Sequence, residues 1–196
     1  MESGTLVNET TPITAQRMGS HLTGEEWRDY WQTPQHILEI AHKAARYYGL
    51  PFFDVAQTPE LREGTGFDAF THDWPAGHLQ YINPPFSKYK DWAPRGVQQL
   101  RRDEPMVQLW ICHTNNASGW FKELVKSSYC QWVGLLDRRI KFIDPRTGEP
   151  SENSAIGKHQ SLICLSNQEA LPYCNGSYLP PCFGPDVTLL APFNRL

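Results

Sequence analysis

Leu79-Gln80-Tyr81-Ile82-Asn83-Pro84-Pro85-Phe86 is the stretch whose reading decides the fold. Leu79 to Ile82 alternates and ends on a β-branched residue, as a buried strand does. Two prolines then remove two backbone donors and hold the chain extended, so neither helix nor sheet continues through them. The strand gives way to a stiff loop carrying a carboxamide, carbonyls without local partners and an aromatic ring. Such a loop is either a plain strand-terminating turn or a grip for a flat group that bears an NH2.

Outward from this loop the chain alternates helix and strand. Gln35 to Tyr48 has Ile37, Leu38, Ala41, Ala44, Ala45 and Tyr48 at helical spacing, with Thr33 expected as N-cap, Pro34 at the first helical position and Gly49 as the stop. Pro51 to Val55 reads as a short strand. A helix leading at once into a strand is an α/β signature. Trp92 to Arg102 is expected as a helix opening at Pro94, Ser118 to Ser127 as a short one. Met106 to Cys112, Cys130 to Leu135, Arg138 to Ile143 and Ser161 to Leu165 are expected as strands, the last being Ser161 to Leu165. The near-continuous apolar run at Met106 to Cys112 suits a parallel sheet covered on both faces. The segment from Ala56 to Gly77 is irregular, and Asp144 to Lys158 is a long polar loop. The expected organisation is a flexible arm over 1–22, one domain over 23–170 and a Pro-rich tail over 171–196 packed on the domain.

Composition narrows the function classes. The chain has 196 residues, enough for one domain with a real core, and 40% are apolar. Mean hydropathy is -0.52, and no apolar run approaches the roughly 20 residues that cross a bilayer. No basic-then-apolar leader opens the chain, so a soluble, cytoplasmic protein is expected. A net charge of -3 argues against wholesale non-specific nucleic-acid binding. Two local basic clusters remain, Lys88, Lys90, Arg95, Arg101 and Arg102, then Arg138, Arg139 and Lys141; each is either a solvated face or a phosphate contact. The five cysteines show no metal-ligand spacing, and no metal site is expected.

In an open parallel α/β sheet, ligands bind beyond the carboxyl ends of the strands. Two expected strand ends carry polar groups, Asp54 and Asn83. Asp54 is either a turn cap or an acceptor for a hydroxyl or amino group of a cofactor.

The ordered set Trp31-Gln32-Thr33-Pro34, Phe53-Asp54-Val55-Ala56, Phe70-Thr71-His72-Asp73 and Asn83-Pro84-Pro85-Phe86-Ser87 resembles the phage-type DNA adenine-N6 methyltransferases. Leu109 to Thr114, Gly119-Trp120-Phe121 and Arg139-Ile140-Lys141-Phe142 extend the likeness, which covers about Trp27 to Ser166. The resemblance implies a Rossmann-like methyltransferase fold of reduced size, with a mostly parallel sheet flanked by helices. It implies methyl transfer from S-adenosylmethionine to the N6 amine of adenine in DNA, with DNA and the cofactor as partners and a phage-encoded protein acting in the host cytoplasm. It places Thr33 and Pro34 beside the methionine end of the cofactor, Asp54 at its acidic contact, and Asp73 near its adenine or the target base. Asn83 and the Pro84 carbonyl would accept hydrogen bonds from the target amine, with Pro85 stiffening the loop and Phe86 stacking on the extruded base. Lys88, Arg138 and Arg139 are the expected phosphate contacts. Three features depart from the general methyltransferase pattern: Val55-Ala56-Gln57 stands where a glycine-rich loop is usual, the short gap from Asp54 to Asn83 leaves little room for a full second βα unit, and no separate target-recognition domain is visible. Specificity would then come from loops, a partner or a second subunit, as in a homodimer, or would be low. The alternatives are a catalytically degenerate fold serving as a binding or accessory protein, or methylation of cytosine N4 or a protein glutamine.

Overall fold

The computed structural model of the protein describes residues 29–57, 64–151, 159–168, 183 and 187–190. The expected arm over 1–22 and most of the tail over 171–196 lie outside them.

Three helices and six strands form the described fold: α1 (Gln35–Tyr48), β1 (Phe52–Asp54), β2 (Leu79–Ile82), α2 (Tyr89–Gln99), β3 (Val107–His113), α3 (Gly119–Val125), β4 (Cys130–Leu136), β5 (Gln160–Ser166) and β6 (Val187–Leu190). The strands make one sheet in the order β1-β2-β3-β5-β4-β6. Strands β1, β2 and β3 run parallel, with Asp54 opposite Tyr81 and Ile82 opposite Trp110. The β3–β5, β5–β4 and β4–β6 pairs are antiparallel.

The expectation of a mostly parallel sheet is therefore corrected: among the described strands only the β1–β2–β3 side is parallel. Strand β3 is buried along its whole length, as expected, but burial on both faces does not reveal the direction of a neighbour. Strand β5 inserts between β3 and β4 and runs against both. Strands β2, β3 and β4 consequently end at the same edge of the sheet, while β5 begins there.

Alternation along β2 divides the core. Leu79 and Tyr81 face α1 with Ile37, Ala41, Ala44 and Ala45, together with Ile140 and Phe142. Ile82 faces the opposite layer of Trp92, Val97, Phe121 and Leu124. Fully burying an apolar side chain of this size contributes about 2–3 kcal/mol each. The alanines of α1 bring its backbone close to the sheet. Gly49 ends the helix in the left-handed conformation, φ 66°, where a glycine carries no Cβ penalty. On the other face, a Cβ at Gly96 would run into the Trp110 indole. This missing side chain seats α2 on β3.

Four local expectations are corrected. Helix α2 starts at Tyr89, not Pro94, because a 3-10 turn at Phe86–Lys88 leads directly into it; Pro94 sits on the exposed side, where its missing donor affects only a solvent-facing carbonyl. Thr33 does not cap α1. Pro34 holds the cap position with no side-chain bond, and its carbonyl takes the Ile37 and Leu38 N–H groups at 3.0 and 3.2 Å. The span from Arg138 to Ile143 is not a strand of the sheet. It alternates buried Ile140 and Phe142 with exposed Arg139 and Lys141, but it pairs with none of the six strands, and only Ile143 forms bridges, to Gln32 and Pro150. Ser161 to Leu165 is not the last strand, since Val187–Leu190 adds an edge strand beside β4. The short apolar run of that edge strand is masked in the sequence by the prolines around it.

Candidate active site

The chain beyond Ile82 leaves the sheet through Asn83, Pro84 and Pro85. Alternation puts Tyr81 and Asn83 on one side of the strand, under the start of α1, and Thr33 reaches over from that start. The Asn83 amide nitrogen donates to Thr33 Oγ1 at 2.9 Å, and the same hydroxyl lies 3.0 Å from Tyr81 Oη. Burial raises the Tyr81 phenol, so it stays neutral and remains a hydrogen-bonding group. The Thr33 bond fixes the Asn83 amide and turns its carbonyl the other way. Asn83 Oδ1 is buried and has no hydrogen-bond partner among the described residues. A buried acceptor without a donor costs about 1–3 kcal/mol, a cost that a donor brought by a ligand would relieve.

Asp54 ends β1 beside Tyr81. Its Oδ1 accepts from the Ala56 N–H at 3.0 Å, so the carboxylate closes its own turn as well as facing the strand ends. Desolvation pushes its pKa up to about 7, partly offset by that N–H. The group is therefore poised to change charge near neutrality.

A cleft of about 490 Å3 opens in front of these strand ends, lined by Val55, Gln57, Ala69, Phe70, Pro85, Lys88, Asp91 and Trp92. That volume lies in the ordinary range for small-molecule sites. Phe70 is an exposed large hydrophobic side chain at 47%, edge-on to Trp92 with centroids 5.1 Å apart. Its loop is pinned from behind: Arg95 donates to the carbonyls of Ala69 at 3.0 Å and His72 at 2.8 Å, and the Trp74 indole donates to Ala69 at 2.8 Å.

Phe86 is half-buried where the two core layers meet. Its ring lies 4.8 Å from His113, 5.4 Å from Phe142, 5.9 Å from Trp31 and 6.0 Å from Tyr89. Tyr89 in turn stacks on Trp120 at 4.4 Å. This aromatic floor holds Phe86 beside Asn83.

The expected site residues thus fall into groups. Thr33, Pro34, Asp54, Asn83, Pro84, Pro85 and Phe86 come together around the ends of β1 and β2, and Lys88 lines the cleft beside them. Arg138 and Arg139 are exposed directly after β4, at the same edge of the sheet but farther along it. Asp73 is exposed in the loop before Trp74 and is not among the cleft-lining residues. Arg95 is engaged in holding the 69–72 loop, and Arg102 binds Glu104 at 3.0 Å and the Trp74 carbonyl at 2.9 Å near the far end of α2. Those two arginines serve the fold. Sequence reasoning assigns no site role to Tyr81, Phe70, Trp92, Gln57 or Asp91. Tyr81 carries a signal, its two-residue spacing from Asn83; Phe70 and Gln57 sit in an irregular stretch, marked only by the Phe70-Thr71-His72-Asp73 likeness and by the place of Val55-Ala56-Gln57 after β1.

Among the described residues no cluster of metal-ligating side chains occurs, and no helix is long and apolar enough to cross a membrane. Neither curated proteins nor solved structures return a match to the chain. The profile of the DNA N-6-adenine-methyltransferase (Dam) family matches residues 19–174. That span contains every residue of the strand-end site, and the chain belongs to the DNA N-6-adenine-methyltransferase (Dam) family.

Proposed function

We propose that the protein is an S-adenosylmethionine-dependent methyltransferase acting on the exocyclic N6 amine of adenine in DNA, on a reduced Rossmann-like fold. The observation that carries this reading is the buried, partnerless Asn83 Oδ1 at a strand end, held in orientation by Thr33. An adenine amine is a poor nucleophile because its lone pair is delocalised into the ring. Acceptors aimed at its two hydrogens favour a pyramidal nitrogen and stabilise the positive charge that grows on it during transfer. Asn83 Oδ1 would be one acceptor and the Pro84 carbonyl the second. Neither needs to act as a strong base.

The residues present fit the cofactor. Val55, Ala69, Phe70, Pro85 and Trp92 supply apolar and aromatic walls for a planar ring, while Gln57, Asp91 and the nearby Asp54 supply polar contacts. Bound S-adenosylmethionine supplies an electrophilic methyl group; the chain's part is to orient the amine and exclude water. Extruding a base costs a few kcal/mol, and the accessible part of Phe86, braced by its four aromatic neighbours, would offset part of it by stacking. Lys88, Arg138 and Arg139 are exposed along the same sheet edge and would contact phosphates.

Calorimetric titration with S-adenosylmethionine, or its demethylated product, tests the cofactor assignment. Saturable binding is expected, with loss of affinity when Phe70 is replaced by Ala. Absence of binding at millimolar cofactor would sink the proposal.

A further inference from the structure

Three contacts tie the stretch before α1 to the loop after β2. Asp29 Oδ2 accepts from the Ser87 hydroxyl at 2.5 Å while Oδ1 accepts from the Ser87 N–H at 3.2 Å. Trp31 meets the Phe86 ring edge-on at 5.9 Å. Thr33 takes the Asn83 amide at 2.9 Å. The contacts run in opposite order along the two segments, and only alternate residues of the first take part. Its intervening residue, Gln32, pairs the other way, exchanging backbone hydrogen bonds of 3.0 and 2.9 Å with Ile143.

We propose that residues 29–33 form a clamp on the acceptor loop, with Asp29 as a positioning residue for methyl transfer; this rests on the methyltransferase reading above. The loop needs an external hold. Pro84 and Pro85 have no N–H, so the loop cannot knit itself together, and its own backbone bond is Lys88 N–H to the Pro85 carbonyl at 2.9 Å. Without Asp29 the backbone at Ser87 loses its anchor, and Phe86 is left to its ring contacts alone while Asn83 keeps Thr33. The distance between the amine acceptors and the stacking ring would then drift, and a misplacement of about 1 Å can cost on the order of 100-fold in rate. Gln32 braces the clamp from behind against Ile143, and thus against the segment that carries Arg139 and Lys141.

The test compares wild type, Asp29→Ala, Ser87→Ala and the double variant, all at exposed hydrogen bonds outside the core. Amide hydrogen exchange over residues 86–88 reads the clamp directly, and single-turnover methylation of DNA reads its effect. Faster exchange in Asp29→Ala, with a rate loss of about tenfold or more and cofactor affinity within twofold, is expected. The double variant should be no slower than Asp29→Ala, because that change already removes both bonds to Ser87 and Ser87→Ala removes only the hydroxyl one of the pair. Unchanged exchange in Asp29→Ala, or a double variant whose loss is the product of the two single losses, would overturn the clamp. If wild type transfers no methyl group to DNA, the functional reading fails, and the exchange data still decide the clamp.

Discussion

The Asn83 amide nitrogen lies 2.9 Å from the Thr33 hydroxyl, and this bond turns the Asn83 carbonyl away into a buried position with no partner. One helix start and one strand end, separated by 50 residues in sequence, thus define a single acceptor. Replacing Asn83 with Ala removes the acceptor and leaves the cleft walls in place. Methyl transfer should fall by about 10²- to 10³-fold, with the cofactor dissociation constant within about twofold. Parallel loss of both would show that Asn83 binds cofactor instead.

On the proposed reading Thr33 acts through Asn83, to which it is hydrogen-bonded, and should behave accordingly. Thr33→Ser keeps the hydroxyl and should retain most of the rate; Thr33→Val keeps the shape and should lose it. In the Asn83→Ala background the Thr33→Val change should add little, since coupled residues are non-additive. Rate measurements on the four combinations check this. Full additivity would mean that Thr33 has a separate job.

The carboxyl of Asp54, with its pKa raised to about 7, sets two pH effects of opposite sign. The unfolded group ionises near pH 4. Between about pH 4 and 7 the unfolded chain is therefore charged there while the folded one is not, so unliganded stability declines through that window and levels off above it. If the ionised carboxylate holds the cofactor, as proposed, binding should tighten as pH rises towards 7 and weaken by up to about tenfold per unit below it. Asp54→Asn should flatten both profiles, read by denaturant unfolding and by calorimetry across pH 4–8.

How far the sequence reaches depends on the kind of signal each element leaves. Gln35–Tyr48 and Leu79–Ile82 are legible because periodicity and punctuation agree there. The direction of β5 is not, because a fully buried strand looks alike beside either neighbour. Asn83 can be picked out from the two prolines behind it, but Thr33 reads as a helix cap when its hydroxyl in fact serves Asn83. Capping and site roles use the same chemistry, so only the position of Tyr81 and Asn83 in space separates them. Phe70 carries no periodic pattern and enters only through the Phe70-Thr71-His72-Asp73 likeness, which gives it no role of its own. Its place in the cleft comes from Arg95 and Trp74 holding the backbone behind it.

Arg95→Met keeps the aliphatic stem but frees the carbonyls of Ala69 and His72. The loop carrying Phe70 should loosen, raising the cofactor KM several-fold while kcat changes little. Hydrogen exchange at residues 68–72 would rise in step. A fall in kcat at unchanged KM would contradict this.

Gly96→Ala places a methyl group against the Trp110 indole. Overpacking of this sort costs about 1–3 kcal/mol, and urea unfolding should show that loss. Loss of stability without any proportionate change in cofactor affinity is expected, because Gly96 faces Trp110 of β3 and is not among the cleft-lining residues.

Methyl-labelled S-adenosylmethionine incubated with DNA and the protein, with digestion of the DNA to nucleosides, tests the central claim most directly. Label should appear in N6-methyldeoxyadenosine with wild type and should be lost with Asn83→Ala. Label in another nucleoside, or equal transfer by both proteins, would contradict the account of Asn83 as the acceptor for an adenine amine.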